Sequence, residues 1–140
     1  MNELISHFIQ QQTCANICTL NENNTPYCFT CFFAFNSKEQ LLLFKSSTDT
    51  QHSFNILKNP VVAGTILPDK LNKLQIKGVQ FEGEVLPFEH PLAKHAAAEY
   101  YLKNPMAVAV PGEVWTVKLQ KLKYTDNTLG FGKKLLWERA

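Results

Sequence analysis

The chain has 140 residues and no apolar run near the roughly 20 residues that a membrane-crossing helix requires. Charge of one sign is also missing. Fourteen lysines and arginines against twelve aspartates and glutamates leave a net charge of +2, too little to argue for a nucleic-acid partner. The first residues, MNELISHFIQQQ, contain neither a basic leader nor a small-residue cleavage site, so a cytoplasmic rather than a secreted protein is expected. No serine sits in a nucleophile elbow, and no Ser-His-Asp order suggests itself. Paired carboxylates occur only as Glu82 and Glu84, where solvated charge is the usual explanation. His90 and His95 stand five apart, off a common helix face, and do not make a metal pair. Repeats, low-complexity tracts and linkers are absent, so residues 1–140 read as one domain. A hydrophobic fraction of 45% with 19% charged residues assigns that domain to the globular class rather than the disordered one. With so few acids, bases and nucleophiles, an enzyme built on this chain would take its chemistry from a cofactor.

Cysteine is present four times, as Cys14, Cys18, Cys28 and Cys31, but without the context of a redox or zinc site. Cys28-x-x-Cys31 lies inside YCFTCFFAF, a strand pattern in which residues three apart face opposite sides. A redox pair at this spacing normally opens a helix, and zinc would require a second ligand pair at a tight turn. Buried free thiols are therefore expected at all four positions.

One stretch organises the rest: Leu41 to Leu67, LLLFKSSTDTQHSFNILKNPVVAGTIL. Leu41-Leu42-Leu43-Phe44 has the length and apolarity of a buried strand. Five oxygen-bearing side chains follow, Ser46-Ser47-Thr48-Asp49-Thr50. Thr48 and Gln51 have capping-box spacing, which predicts a helix starting there. Phe54, Ile56 and Leu57 would form its apolar side, and Asn59-Pro60 would end it. Val61 to Leu67 reads as a second buried strand, with Gly64 marking a bulge or a close backbone approach. A helix N-terminus beside hydroxyls suits a phosphate, and His52 within the first turn could donate to it. The simpler account leaves Thr48 as a cap and His52 as a half-exposed imidazole.

Elsewhere, Leu4, Ile5, Phe8 and Ile9 predict a helix over 2–11, and Thr13 to Leu20 a strand. Tyr27 to Phe35 is a strand apolar on both faces, so both should be covered. Leu74 to Pro87 alternates as a long strand with Val79, Phe81, Gly83 and Val85 on one face. Pro91 opens a long helix that Asn104-Pro105 ends. Val114 to Leu122 is a strand, Thr125 to Gly132 a loop, and Lys133 to Arg139 a last strand. Gly130-Phe131-Gly132-Lys133-Lys134 could wrap a phosphate but lacks P-loop spacing. Lys118, Lys121, Lys123, Lys133 and Lys134 make this last third basic, so it could serve an anionic cofactor. Six or seven strands joined mainly by hairpins, with three helices, predict a mainly β, antiparallel barrel with helices packed on it.

Val62-Ala63-Gly64-Thr65, Gly78-Val79-Gln80-Phe81-Glu82-Gly83-Glu84 and the block Lys123 to Lys134 with Trp137 carry a family resemblance. The chain resembles the pyridoxamine 5′-phosphate oxidase-like FMN-binding split barrels, in particular the YhbP-like bacterial subgroup. The resemblance implies a homodimer with FMN in a groove between subunits. Ser46, Thr50 and His52 then match the family's phosphate-binding turn, and Ser47, Thr48 and Gln51 are close enough to take part. Gln80 matches the strand bordering the flavin, while Lys133 and Trp137 fall in the segment that reaches the partner's cofactor. The implied activity is a flavin-dependent oxidoreductase using a reduced nicotinamide. Many members place a cation at the His52 position and another on the second strand; here that strand reads Phe29-Thr30-Cys31. Haem with a histidine axial ligand, another flavin-like cofactor, or a cofactor-free dimeric binding module remain alternatives.

Overall fold

The structure, a computed structural model, describes residues 1–130 and 133–140. Among them are seven strands: β1 Cys14–Leu20, β2 Pro26–Asn36, β3 Leu41–Ser46, β4 Val61–Ile66, β5 Lys77–Val85, β6 Glu113–Asp126 and β7 Lys134–Glu138. Three α-helices accompany them: α1 Glu3–Gln11, α2 Gln51–Lys58 and α3 Ala96–Lys103. The strands form one antiparallel sheet in the order β3-β2-β1-β4-β5-β6-β7, and an additional pairing of β3 with β6 closes six of them into a barrel. β6 makes this possible by its length. Residues 113–118 pair with β3 and residues 121–125 with β7, so these two short strands lie along successive parts of β6. The expected mainly β, antiparallel split barrel is the architecture observed.

The alternation on β5 sorts as the sequence implies, with Val79, Phe81, Gly83 and Val85 buried and Gln80, Glu82 and Glu84 exposed. Each inward Val or Phe contributes about 1.5–3 kcal/mol of burial. The unbroken run on β3 has a different cause. Leu42 and Phe44 enter the barrel, while Leu41 and Leu43 pack outside it against Ala34, Ala96 and Tyr100, beneath α3. Gly64 is a close-approach glycine, because a Cβ there would strike both the Asn16 carbonyl oxygen and the Phe81 ring.

Several local expectations are corrected. Thr50, not Thr48, caps α2: its backbone is extended and its Oγ1 accepts from Ser53 N at 3.1 Å. The buried side of α2 is Ser53, Asn55 and Ile56, whereas Phe54 and Leu57 are 45% and 63% exposed. Asn55 sets this rotation, since its Nδ2 donates to Thr19 Oγ1 and Asn21 Oδ1 on the first hairpin. Pro91 opens only a 3-10 turn to Ala93, where Leu92 N–H donates to His90 Nδ1; α3 begins later. β6 continues through Thr125, which pairs with Lys134, so the loop starts after Asp126.

The thiols are free but not uniformly buried. Cys14 and Cys28 are exposed, and Cys18 and Cys31 are half-buried. Alternation explains this: Cys31 packs on the barrel core, while the even-numbered cysteines face outward with Phe32, itself 59% exposed. The outer face of β2 is thus uncovered at Phe32 in the single chain, contrary to the expectation from its apolarity. Among the described residues, no helix is long and apolar enough to cross a membrane.

Candidate functional site

At the end of β3 the chain turns sharply under Trp115, whose Nε1 donates to the Ser46 carbonyl at 3.0 Å. Ser46 Oγ lies 2.6 Å from His52 Nε2. The imidazole stacks on Phe29 with ring centroids 3.7 Å apart and planes within 8°. Burial lowers the His52 pKa from its ordinary 6.5, so the neutral ring is favoured near neutrality. Phe29 therefore offers the ring an apolar surface in the strand segment where the resemblance leads one to look for a second cation.

The remaining hydroxyls of the turn are largely engaged with one another. Ser47 Oγ donates to the Asp49 carboxylate, Thr50 Oγ1 donates to Ser53 Oγ at 2.7 Å, and Ser53 Oγ donates to the Ser47 carbonyl at 2.6 Å. Gln51 Nε2 bonds Asn55 Oδ1 at 2.9 Å, and Thr48 is exposed. What the turn offers a ligand is the Ser46 hydroxyl, a neutral imidazole and the first N–H groups of α2. It offers no fixed cation.

A second feature lies on the outer surface of the barrel: a groove of about 760 Å³ crossing β1, β2, β4, β5, β6 and β7. Ala63, Leu122, Leu136 and Trp137 give it apolar walls; Asn16, Thr65 and Gln80 supply uncharged hydrogen-bonding groups. Its charges balance, with Lys121 and Lys123 against Glu82 and Glu138. Cys18 and Cys28 form part of the wall. Trp137 also packs on the barrel core, and the Arg139 guanidinium lies 5.5 Å from its ring centroid.

The candidate residues thus separate into two groups. Ser46, Ser47, Thr48, Thr50, Gln51 and His52 gather at the turn. Gln80 and Trp137 lie in the groove. Lys133 lines neither; it is exposed and its backbone bonds Gly130 and Asp126. Of the glycine-rich phosphate candidate Gly130 to Lys134, Phe131 and Gly132 lie outside the described residues. Asn16, Thr65, Glu82 and Glu138 were not singled out for a site. Thr65 and Glu82 lie in the blocks that carry the family resemblance, and Glu82 was read with Glu84 as solvated charge; for Asn16 and Glu138 the signal was a polar position on a strand, which by itself marks any solvated face.

Comparison with known proteins assigns the family. The family described as pyridoxamine 5′-phosphate oxidase matches residues 1–126. The chain belongs to the pyridoxamine 5′-phosphate oxidase-like family. Among its relatives, a UPF0306 protein of Photorhabdus laumondii is 38% identical over 137 residues, covering 98% of this chain and 95% of the relative. A UPF0306 protein of Serratia proteamaculans is 36% identical, covering 97% and 94%. Solved structures with the same fold include a haem-binding protein from Mycobacterium smegmatis, with a TM-score of 0.78 at 14% identity. That match covers 94% of this chain but 55% of the other, so this chain spans about half the length of that protein. An FAD-binding protein from Mesorhizobium loti has a TM-score of 0.67 at 13% identity, covering 90% and 95%. The haem storage protein of Vibrio cholerae has a TM-score of 0.66 at 16% identity, covering 92% and 94%. At such identities the likeness establishes the fold of this family member, while the bound groups remain properties of those proteins.

Proposed function

We propose that this family member is an FMN-binding protein that works as a homodimer and serves as a flavin-dependent oxidoreductase, accepting electrons from a reduced nicotinamide. The observation that carries the reading is the groove. Its volume, its apolar walls around Trp137 and its uncharged hydrogen-bonding groups suit a planar heteroaromatic ring with polar edges. Gln80 and Thr65 would bond the ring's edge, and Trp137 and Leu136 would keep water from one side. The groove's charges cancel, so a phosphate gains little attraction there. The Ser46–His52 turn, with the N-terminus of α2, is the better place for it, supplied within a dimer. Bound flavin would supply hydride chemistry; the chain's share is binding, orientation and exclusion of water. Haem is the less supported reading, because no histidine is among the groove's described lining residues and His52 Nε2 is already engaged by Ser46.

The test is a titration of dialysed protein with FMN, followed by flavin fluorescence, alongside size-exclusion chromatography. Saturable binding at one FMN per chain, weakened by Gln80→Ala and by Ser46→Ala, is expected. No saturable binding would overturn the reading, and a Soret band on haem titration would replace it with the haem alternative.

A further inference from the structure

The two groove cysteines come from neighbouring strands and stand directly opposite one another. Cys18 and Cys28 are partners in the β1–β2 register, which runs unshifted from Cys14↔Phe32 to Leu20↔Pro26. The backbone bonds at the two ends of this hairpin fix the character of the pair. Phe33 N–H donates to Thr13 O at one end, and Asn21 N–H donates to Thr25 O at the other. Both bonds join odd-numbered partners. In an antiparallel ladder hydrogen-bonded and non-hydrogen-bonded pairs alternate, so the even-numbered Cys18–Cys28 pair is non-hydrogen-bonded. Such partners have Cα atoms about 4.5 Å apart and their side chains at closest approach, inside the roughly 4.4–6.8 Å span of a disulfide. Both thiols are free, Cys28 is exposed, and both line the open groove.

We infer that Cys18 and Cys28 are a redox-active dithiol that reduces small-molecule disulfides by closing into a cross-strand disulfide. One cysteine, as thiolate, attacks a sulfur of the substrate disulfide. The substrate S–S bond breaks, a mixed disulfide forms, and the first small thiol leaves. The second cysteine then attacks the protein sulfur of the mixed disulfide, releases the second small thiol and forms the Cys18–Cys28 bond. Two electrons pass from the dithiol to the substrate, and the two thiol protons end on the released thiols. A small dithiol reverses the sequence. The Cys28 thiol is held above its ordinary pKa, first by the neighbouring Cys18 thiol and then by partial desolvation, so closure accelerates as pH rises above neutrality. Neither remaining cysteine can substitute in this geometry: Cys14 is opposite Phe32, and Cys31 faces the core.

This inference does not depend on the flavin reading, and its experiment measures a different quantity. A Cys14→Ser/Cys31→Ser variant, shown folded by its thermal melt, is equilibrated in glutathione buffers of increasing oxidised fraction. Thiols are counted and the protein is mapped by non-reducing proteolysis and mass spectrometry. The expected result is loss of both remaining thiols, a peptide pair linking Cys18 to Cys28 at two hydrogens less mass, and full recovery with dithiothreitol. Adding Cys28→Ser should arrest the reaction at a glutathione mixed disulfide on Cys18. Should the double variant not fold, the same mapping on the wild-type chain locates the link. Persistence of both thiols in oxidised glutathione, or accumulation of mixed disulfide without closure in the chain that retains both cysteines, would overturn the inference.

Discussion

The turn and the groove are built in opposite ways. The turn draws its groups largely from residues 46–53, close in sequence, and most of its side-chain polar atoms bond one another. The groove collects residues from six strands, some more than a hundred positions apart, and leaves its polar groups facing an opening. A self-satisfied cluster is stable without a ligand but has few donors left for one. An open, mixed groove contributes little to stability and keeps its binding capacity. Ligand affinity should therefore respond more strongly to groove substitutions, and stability more strongly to changes in the turn.

The largest expected effect falls on the barrel beneath the groove. Gly64→Val should cost about 1–3 kcal/mol, because the added carbons meet the Asn16 carbonyl and the Phe81 ring. Urea denaturation would measure the cost, and a loss near zero would show that the strands part there easily. Next, Thr50→Ala should lower stability by about 1 kcal/mol through loss of the α2 cap. That substitution leaves the groove untouched, so a larger effect on FMN binding than on the urea midpoint would show that the turn holds ligand. Gln80→Ala should do the reverse: an exposed side chain is lost with little change in stability, but about tenfold in FMN affinity, the equivalent of one hydrogen bond.

The smallest effect is a pH slope. The folded His52 pKa lies below 6.5 because burial disfavours the charged ring, so its contribution to stability is fully present above 6.5 and is lost as pH falls through the folded value. His52→Asn should flatten the urea midpoint between pH 8 and pH 5 relative to wild type. Protonation would also add a positive charge beside the Ser46 hydroxyl. FMN affinity should therefore rise as pH drops below 6.5 in wild type and not in the variant.

The barrel was readable because its causes are local and periodic. Alternation along Val79 to Val85 is a two-residue repeat, the unbroken run from Leu41 to Phe44 marks a short strand covered on both faces, and turn residues interrupt the strands. The cap of α2 was not, since Thr48 and Thr50 both carry a capping hydroxyl and both are followed three residues later by a polar side chain. Asn55 reaching Thr19 and Asn21, and Ser46 reaching His52, select Thr50 by anchoring the helix from outside it. The same polar anchor leaves Phe54 and Leu57 in solvent, against the apolar pattern. The hydroxyl turn was recognised as a candidate site, but not that its hydroxyls bond one another.

By itself, the sequence determined the strand and helix inventory, the mainly β class and the family, because each depends on neighbours within a few residues or on a long pattern of them; at Gly64 it offered a bulge or a close approach, and the Asn16 carbonyl and Phe81 ring, distant in sequence, made it the latter. Only the tertiary structure decided which outward positions share a groove, that Gln80 and Trp137 lie apart from the Ser46–His52 cluster, and that Cys18 stands opposite Cys28. Those facts depend on strand order and register. A one-residue shift in pairing would change every cross-strand partner while leaving each strand's own pattern intact.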